Sequence, residues 1–188
     1  MDYETILLET QELMEKAVEH TLREFSNIHT GKATPAMIEN LSVPVESYGT
    51  SMALRELAAI TTPDSHTLQV QPWDKSTAEP IEKAIRSANL GLNPVTRGAG
   101  IIVPIPELSG ERRREMVKMA ASHAEEGRVS IRKARHHAMD QLKKLKAEGH
   151  VSEDDIKRHE KEIQDETDKS VKSVNEALES KEKELLTV

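Results

Sequence analysis

Residues 109–147 read SGERRREMVKMAASHAEEGRVSIRKARHHAMDQLKKLKA. Within them Val117, Ala120, Ala124, Gly127, Ile131, Ala134, Ala138, Leu142 and Leu145 recur by threes and fours, the spacing of one helix face. The periodicity predicts one long helix that starts near Ser109, whose hydroxyl can cap. Glu111 suits the positive dipole end, and Pro104 and Pro106 punctuate the approach. The middle of the seam is small (Ala124, Gly127, Ala134, Ala138), so partner helices can come close there. A helical Gly costs about 1 kcal/mol relative to Ala, and close packing is the reason to expect one at 127.

Outward from this segment, two more helices are predicted. Residues 2–29 place Leu7, Met14, Val18, Leu22, Phe25 and Ile28 at helical steps, and Gly31 and Pro35 end the run. On the other side, Glu148-Gly149-His150 breaks the pattern, and Ser152 with Asp155 resembles a capping box. Ile156, Ile163, Thr167, Val171, Val174, Leu178 and Leu185 then form the third stripe. Helices of roughly 30–40 residues extend ~45–60 Å, and three single stripes can satisfy one another in a bundle. Composition agrees: 31% of the 188 residues are charged and only 2% aromatic, which favours a rod zipped by small aliphatic side chains.

Residues 32–105 differ in kind. They hold most of the prolines and glycines, with β-leaning runs at 41–45, 67–71 and 100–103 and a short helix over 78–90. The expected architecture is α+β: an elongated three-helix bundle from 1–30 and 106–188, with a small inserted α/β (β-α-β) domain over 31–105. Two stretches of chain cross between them, Thr30-Gly31-Lys32 and Pro104-Ile105-Pro106. A glycine in one and prolines in the other suggest a limited hinge.

No cysteine is present, which removes disulfides, thiolate metal sites and cysteine nucleophiles. The start Met1-Asp2-Tyr3-Glu4 lacks the pattern of a signal peptide, and no apolar run approaches the roughly 18 residues of a membrane span. A cytoplasmic address without membrane attachment is the expectation. The net charge of −7 is unevenly spread: residues 1–30 carry two basic and seven acidic side chains, whereas 111–147 carry eleven basic and five acidic. Local field governs binding more than the total does.

The parts of an enzyme are missing. There is no P-loop, and Gly98-Ala99-Gly100 is only a fragment of a glycine motif, lacking the third glycine, and is read as a turn. His123, His136, His137, His150 and His159 lack the spacing of metal ligands and fit solvated or RNA-facing imidazoles. Glu153-Asp154-Asp155 fits helix-start charge. Neither a catalytic site, a metal nor a cofactor is expected.

The positive feature is basic. Arg128, Arg132 and Arg135 share one helix face, Lys133 and His136 flank it, and Arg112, Arg113 and Arg114 cluster at the helix start. Such charges fit either a solvated face laced with salt bridges or a row of phosphate contacts. Acidic partners four residues away are scarce between Arg128 and Asp140, which leans toward phosphate, and sparse aromatics point to RNA shape and backbone rather than stacked bases. The competing class is a coiled-coil binding protein with no RNA partner. An enzyme built on the inserted domain is a more distant alternative.

The sequence resembles the ribosome recycling factor family along its whole length. The likeness is carried by Asn27-Ile28-His29-Thr30-Gly31-Lys32-Ala33-Thr34-Pro35, by Tyr48-Gly49-Thr50 with Leu54-Arg55-Glu56-Leu57-Ala58, and by Leu90-Gly91-Leu92-Asn93-Pro94. Glu111-Arg112-Arg113, Arg128 to Arg135 and Ser152 to Asp155 complete it, in the family's order. The resemblance implies an L-shaped monomer that binds the large ribosomal subunit after termination. With elongation factor G, which hydrolyses the GTP, it would split the ribosome and release mRNA and tRNA. It places Arg113, Arg132 and Arg135 at rRNA contacts, with Arg128, Lys133, His136, His29 and Lys32 on the same expected RNA face. His29 and His136 stand where the family usually has Arg, so rRNA affinity is expected to be lower and to rise as histidine charges at low pH.

Overall fold

The protein, seen in a computed structural model, is described for residues 2–149 and 151–187. The chain divides into two compact units, Met1–Thr30 with Gly110–Val188, and Gly31–Ser109. Residues 106–109, expected with the helices, therefore pack with the small domain.

The first unit consists of three long helices, α1 (Tyr3–Asn27), α4 (Gly110–Ala147) and α5 (Glu153–Leu186). Asp2 caps α1 by accepting the Thr5 N–H at 2.9 Å. Ser152 caps α5 by accepting the Asp155 N–H at 3.2 Å, while its hydroxyl donates to the Asp155 carboxylate at 2.7 Å. Acidic residues in those first turns complement the helix dipoles.

The seam of α4 is buried where its spacing predicts, from Ala120 through Leu145, with Val117 half-buried. Gly127 has its packing reason: a Cβ built there would lie 2.2 Å from the Thr21 hydroxyl oxygen of α1. The stripe of α1 differs in part from the expectation. Met14, Phe25 and Ile28 are buried as expected and Leu7 and Val18 pack half-buried against the core, whereas Leu22 is 42% exposed and Ile6, Thr10 and Thr21 are buried in addition. Threonine can take these core positions because its hydroxyl is satisfied by the preceding turn. Thr10 donates to the Ile6 carbonyl at 2.6 Å and Thr21 to the Ala17 carbonyl at 2.9 Å. Thr167 of α5 does the same to Ile163 at 2.7 Å.

The second unit contains β1 (Ser42–Val45), β2 (Thr50–Ala53), α2 (Leu54–Leu57), β3 (Ala58–Asp64), β4 (Thr67–Pro72), α3 (Ala78–Ser87), β5 (Val95–Arg97) and β6 (Gly100–Pro104). All strand pairs are antiparallel, in a two-stranded sheet β1-β2 and a four-stranded sheet of order β3-β4-β6-β5. The β-α-β unit is β4-α3-β5; its strands are not neighbours, because the β5–β6 hairpin returns β6 between them. That hairpin turns at Gly98-Ala99, with Gly98 at φ +60°, so the glycine fragment is a turn. The core of this unit joins Ile81 and Ile85 of α3 to Val43, Leu68, Val70, Ile101 and Val103 from the strands, all fully buried. Among the described residues no helix is long and apolar enough to cross a membrane.

Candidate nucleic-acid interface

α4 carries the basic side chains on a rigid scaffold, and its neighbours fix where they point. Arg128 donates to Glu125 at 3.0 Å and to the Asn175 side chain of α5 at 2.7 Å. Arg132 pairs with the same Glu125, and Arg135 donates to Gln164 of α5 at 2.7 Å. Arg128 and Arg135 thus lie on the flank of α4 that faces α5, with Arg132 beside them toward the outer ridge. The expectation of arginines lacking acidic partners is corrected: Glu125 lies three and seven residues before its arginines, outside a search at four-residue spacing. Arg128 and then Arg132 hold the Glu125 carboxyl below the usual carboxylate range. These are surface contacts, with the Arg132 and Glu125 side chains 59% and 53% exposed. Such pairs contribute about 0–1 kcal/mol, so they order the guanidinium groups without tying them up.

Lys133 and His136 are exposed on the outer ridge of α4, His136 lying 3.4 Å from Asp140. Arg113 is placed differently. Its guanidinium donates to the Leu185 carbonyl at 2.9 Å and the Thr187 carbonyl at 3.3 Å. It therefore satisfies carbonyls at the C-terminal end of α5.

His29 is exposed just after α1, and desolvation by the protein around its ring pushes its pKa below the usual histidine value. Lys32 is half-buried. Gly31 adopts φ +78°, a left-handed conformation, and a Cβ there would meet Leu108 at 3.3 Å. Thr30 and Ile105 are buried, while Pro104 and Pro106 are exposed.

Sequence reasoning missed what fastens these crossings to the small domain. In the β3–β4 turn, Ser65 accepts the Ala33 N–H at 2.8 Å and His66 accepts the Ile105 N–H at 2.7 Å through their carbonyls. The His66 ring Nδ1 also lies 3.3 Å from the Gly31 carbonyl. These contacts span 30 residues or more, and no local pattern announces them.

The remaining histidines separate. His159 is buried and stacked on Tyr3, with ring centroids 3.3 Å apart, so it is neither solvated nor RNA-facing. Tyr3 bonds Glu162, and its burial pushes the phenol pKa up. His123 is half-buried between Glu24 and Glu126, at 3.9 and 3.7 Å. His137 is exposed, and His150 lies outside the described residues. Among the described residues no three His, Cys, Asp or Glu side chains are grouped to hold a metal ion.

Comparison with known proteins gives these features a context. The family model described as ribosome recycling factor matches residues 21–186. A ribosome-recycling factor of Akkermansia muciniphila is 50% identical over 188 residues, covering all of both chains. That of Carboxydothermus hydrogenoformans is 45% identical over 183 residues, covering 97% of this chain and 98% of its own. A solution structure of a ribosome recycling factor superimposes with TM-score 0.78 at 36% identity, covering 100% of this chain and 99% of the other. The T. thermophilus factor, placed with E. coli elongation factor G on the E. coli post-termination complex, gives TM-score 0.66 at 42% identity over the full length of both chains.

Proposed function

This chain belongs to the ribosome recycling factor family, and from that premise we propose that it binds the large ribosomal subunit after termination and splits the ribosome together with elongation factor G. The observation that carries the binding step is the flank of Arg128, Arg132 and Arg135, held in place by weak exposed partners. Charge-assisted bonds to phosphate contribute ~1.5–3 kcal/mol each, more than the surface pairs they displace. Exchange of Glu125 and Gln164 for rRNA phosphates is therefore downhill. Lys133 and His136 extend that anion-binding surface on α4, His29 and Lys32 are further rRNA contacts that the family likeness implies, and Arg113 is engaged with the carbonyls at the end of α5.

The splitting step is mechanical. The chain acts in the cytoplasm as a monomer, without cofactor or catalysis of its own, and GTP hydrolysis belongs to elongation factor G. The crossings Thr30-Gly31 and Ser109-Gly110, where the chain passes between the units, serve as the hinge through which the small domain takes up the motor's displacement. Pro104-Ile105-Pro106, expected as part of the hinge, lies within the small domain instead, because the turn at Ser65-His66 binds Gly31, Ala33 and Ile105 to that domain.

Light scattering tests the proposal. Post-termination ribosomes mixed with elongation factor G, GTP and this protein should lose scattering, and omission of any one component should abolish the loss. No fall with matched ribosomes and folded protein would leave a coiled-coil binding protein without recycling activity.

A further inference from the structure

We propose that the groove between α1 and α4 receives one unpaired nucleotide of ribosomal RNA, so that the anion-binding surface wraps from the α5-facing flank of α4 round to its α1-facing flank. The proposal rests on the rRNA reading above and adds a subsite to it. The groove has a volume of about 410 Å³ and an aliphatic floor of Leu13, Ala17 and Ala134. Its rim is polar and largely cationic: Lys16 from α1, and Ser130, Lys133 and His137 from α4. A second depression of about 400 Å³ shares Lys133 and His137 and continues to Val129, Arg132, His136 and Asp140, the one carboxylate on it, which lies 3.4 Å from His136 and 3.5 Å from Lys143. The arginine flank and the groove are thus one surface, joined across the outer ridge of α4.

The chemistry of the groove selects its occupant. Leu13 is 46% exposed and Ala17 half-buried, while Ala134 lies buried beneath them. Two permanent cations, one from each helix, stand beside this floor, and Lys16 is set in place by Glu12 at 2.6 Å. A phosphate alone would use the rim and waste the floor. An apolar ligand alone would leave Lys133 without a counter-charge, Lys16 already having Glu12. A nucleotide offers both halves, its phosphate to Lys16, Lys133 and Ser130 and the face of its base to the aliphatic floor. The floor offers only hydrocarbon and the one ring at the groove is the His137 imidazole on its rim, so it shelters a base without reading which base it is.

The test uses the full chain and purified large ribosomal subunits. Leu13 is replaced by p-benzoylphenylalanine and the complex is irradiated, and in parallel Lys16→Gln/His137→Gln is titrated against subunits at several salt concentrations. Cross-linking to an rRNA nucleotide is expected, with about 10-fold weaker binding of the double variant and a log–log salt slope smaller by about one. An unchanged helical melting curve keeps the loss from being one of folding. Cross-linking only to a ribosomal protein, or unchanged affinity and slope, overturns the subsite. If Arg132→Ala/Arg135→Ala still abolishes binding in that case, the subsite alone has failed. If the wild-type chain does not bind the subunits, the rRNA reading has failed and the groove falls with it.

Discussion

The two units share bulky buried side chains but differ in how closely their elements approach. The small domain fills its interior with bulk, from Leu68, Val70, Ile81, Ile85, Ile101 and Val103, all fully buried. The bundle brings helices together by withholding bulk, at Ala120, Ala124, Gly127, Ala138 and the self-satisfied Thr10, Thr21 and Thr167. Both are sensitive to atoms removed, since the bundle also buries Ile6, Met14, Ile131, Leu142, Ile163 and Leu185 completely, and the bundle is in addition sensitive to atoms added at its close approaches. The difference extends to the surface, because closely packed helices leave long outer faces free for charge.

Mutations can break or sharpen this contrast. Ile81→Ala removes three carbons from the packed interior and should cost about 2–5 kcal/mol. Denaturant unfolding would show it, with the helical signal of the bundle outlasting the small domain. A single unchanged transition would mean that the units do not separate. Next in size, Arg132→Ala/Arg135→Ala should weaken large-subunit binding at least ~100-fold, with little change in melting temperature. Unchanged affinity would mean that these arginines serve only Glu125 and Gln164.

Gly127→Ala reverses the usual helix preference. Alanine would gain about 1 kcal/mol of propensity, but the clash with Thr21 should produce a net loss of about 1–3 kcal/mol. Thr21→Ala in the same chain should restore most of that stability. If Gly127→Ala alone stabilises, the close approach is not what holds the helices. Gly31→Ala is milder still. It forces a side chain into the left-handed region at a cost of about 1 kcal/mol, and should reduce splitting while sparing subunit binding. The smallest effect is that of pH. His29 titrates below the usual histidine range, so its charge strengthens rRNA binding only as pH falls below about 6.5. Affinities of wild type and His29→Ala should coincide above pH 7 and diverge at lower pH. The same depressed pKa stabilises the fold above about pH 6.5 and loses that effect as pH falls further. Divergence already at pH 8 would contradict the direction of the shift.

How much of this was legible varies between the same two units. The seam of α4 was readable because its buried residues are small or apolar at strict helical steps. The α1 stripe was readable only in part because Thr10 and Thr21 look polar in sequence, and only their bonds to Ile6 and Ala17 make them core residues. In the small domain the runs at 41–45, 67–71 and 100–103 were visible as strands. Those at Thr50–Ala53, Ala58–Asp64 and Val95–Arg97 were not, since they are short or exposed along much of their length. The arginine face was legible from spacing, but its partners Asn175 and Gln164 belong to another helix. Lys16 and His137 lie 121 residues apart, and only the packing of α1 on α4 puts them on one rim.

The scarcity of aromatic residues has a spectroscopic consequence. Trp73 is the sole tryptophan of the chain, and it stands 70% exposed after β4 in the small domain. Indole emission therefore comes from one address, while the bundle is dark. A change in its colour or intensity on adding elongation factor G would report what reaches the small domain, with no dye attached. The same light would be indifferent to whatever the arginines hold.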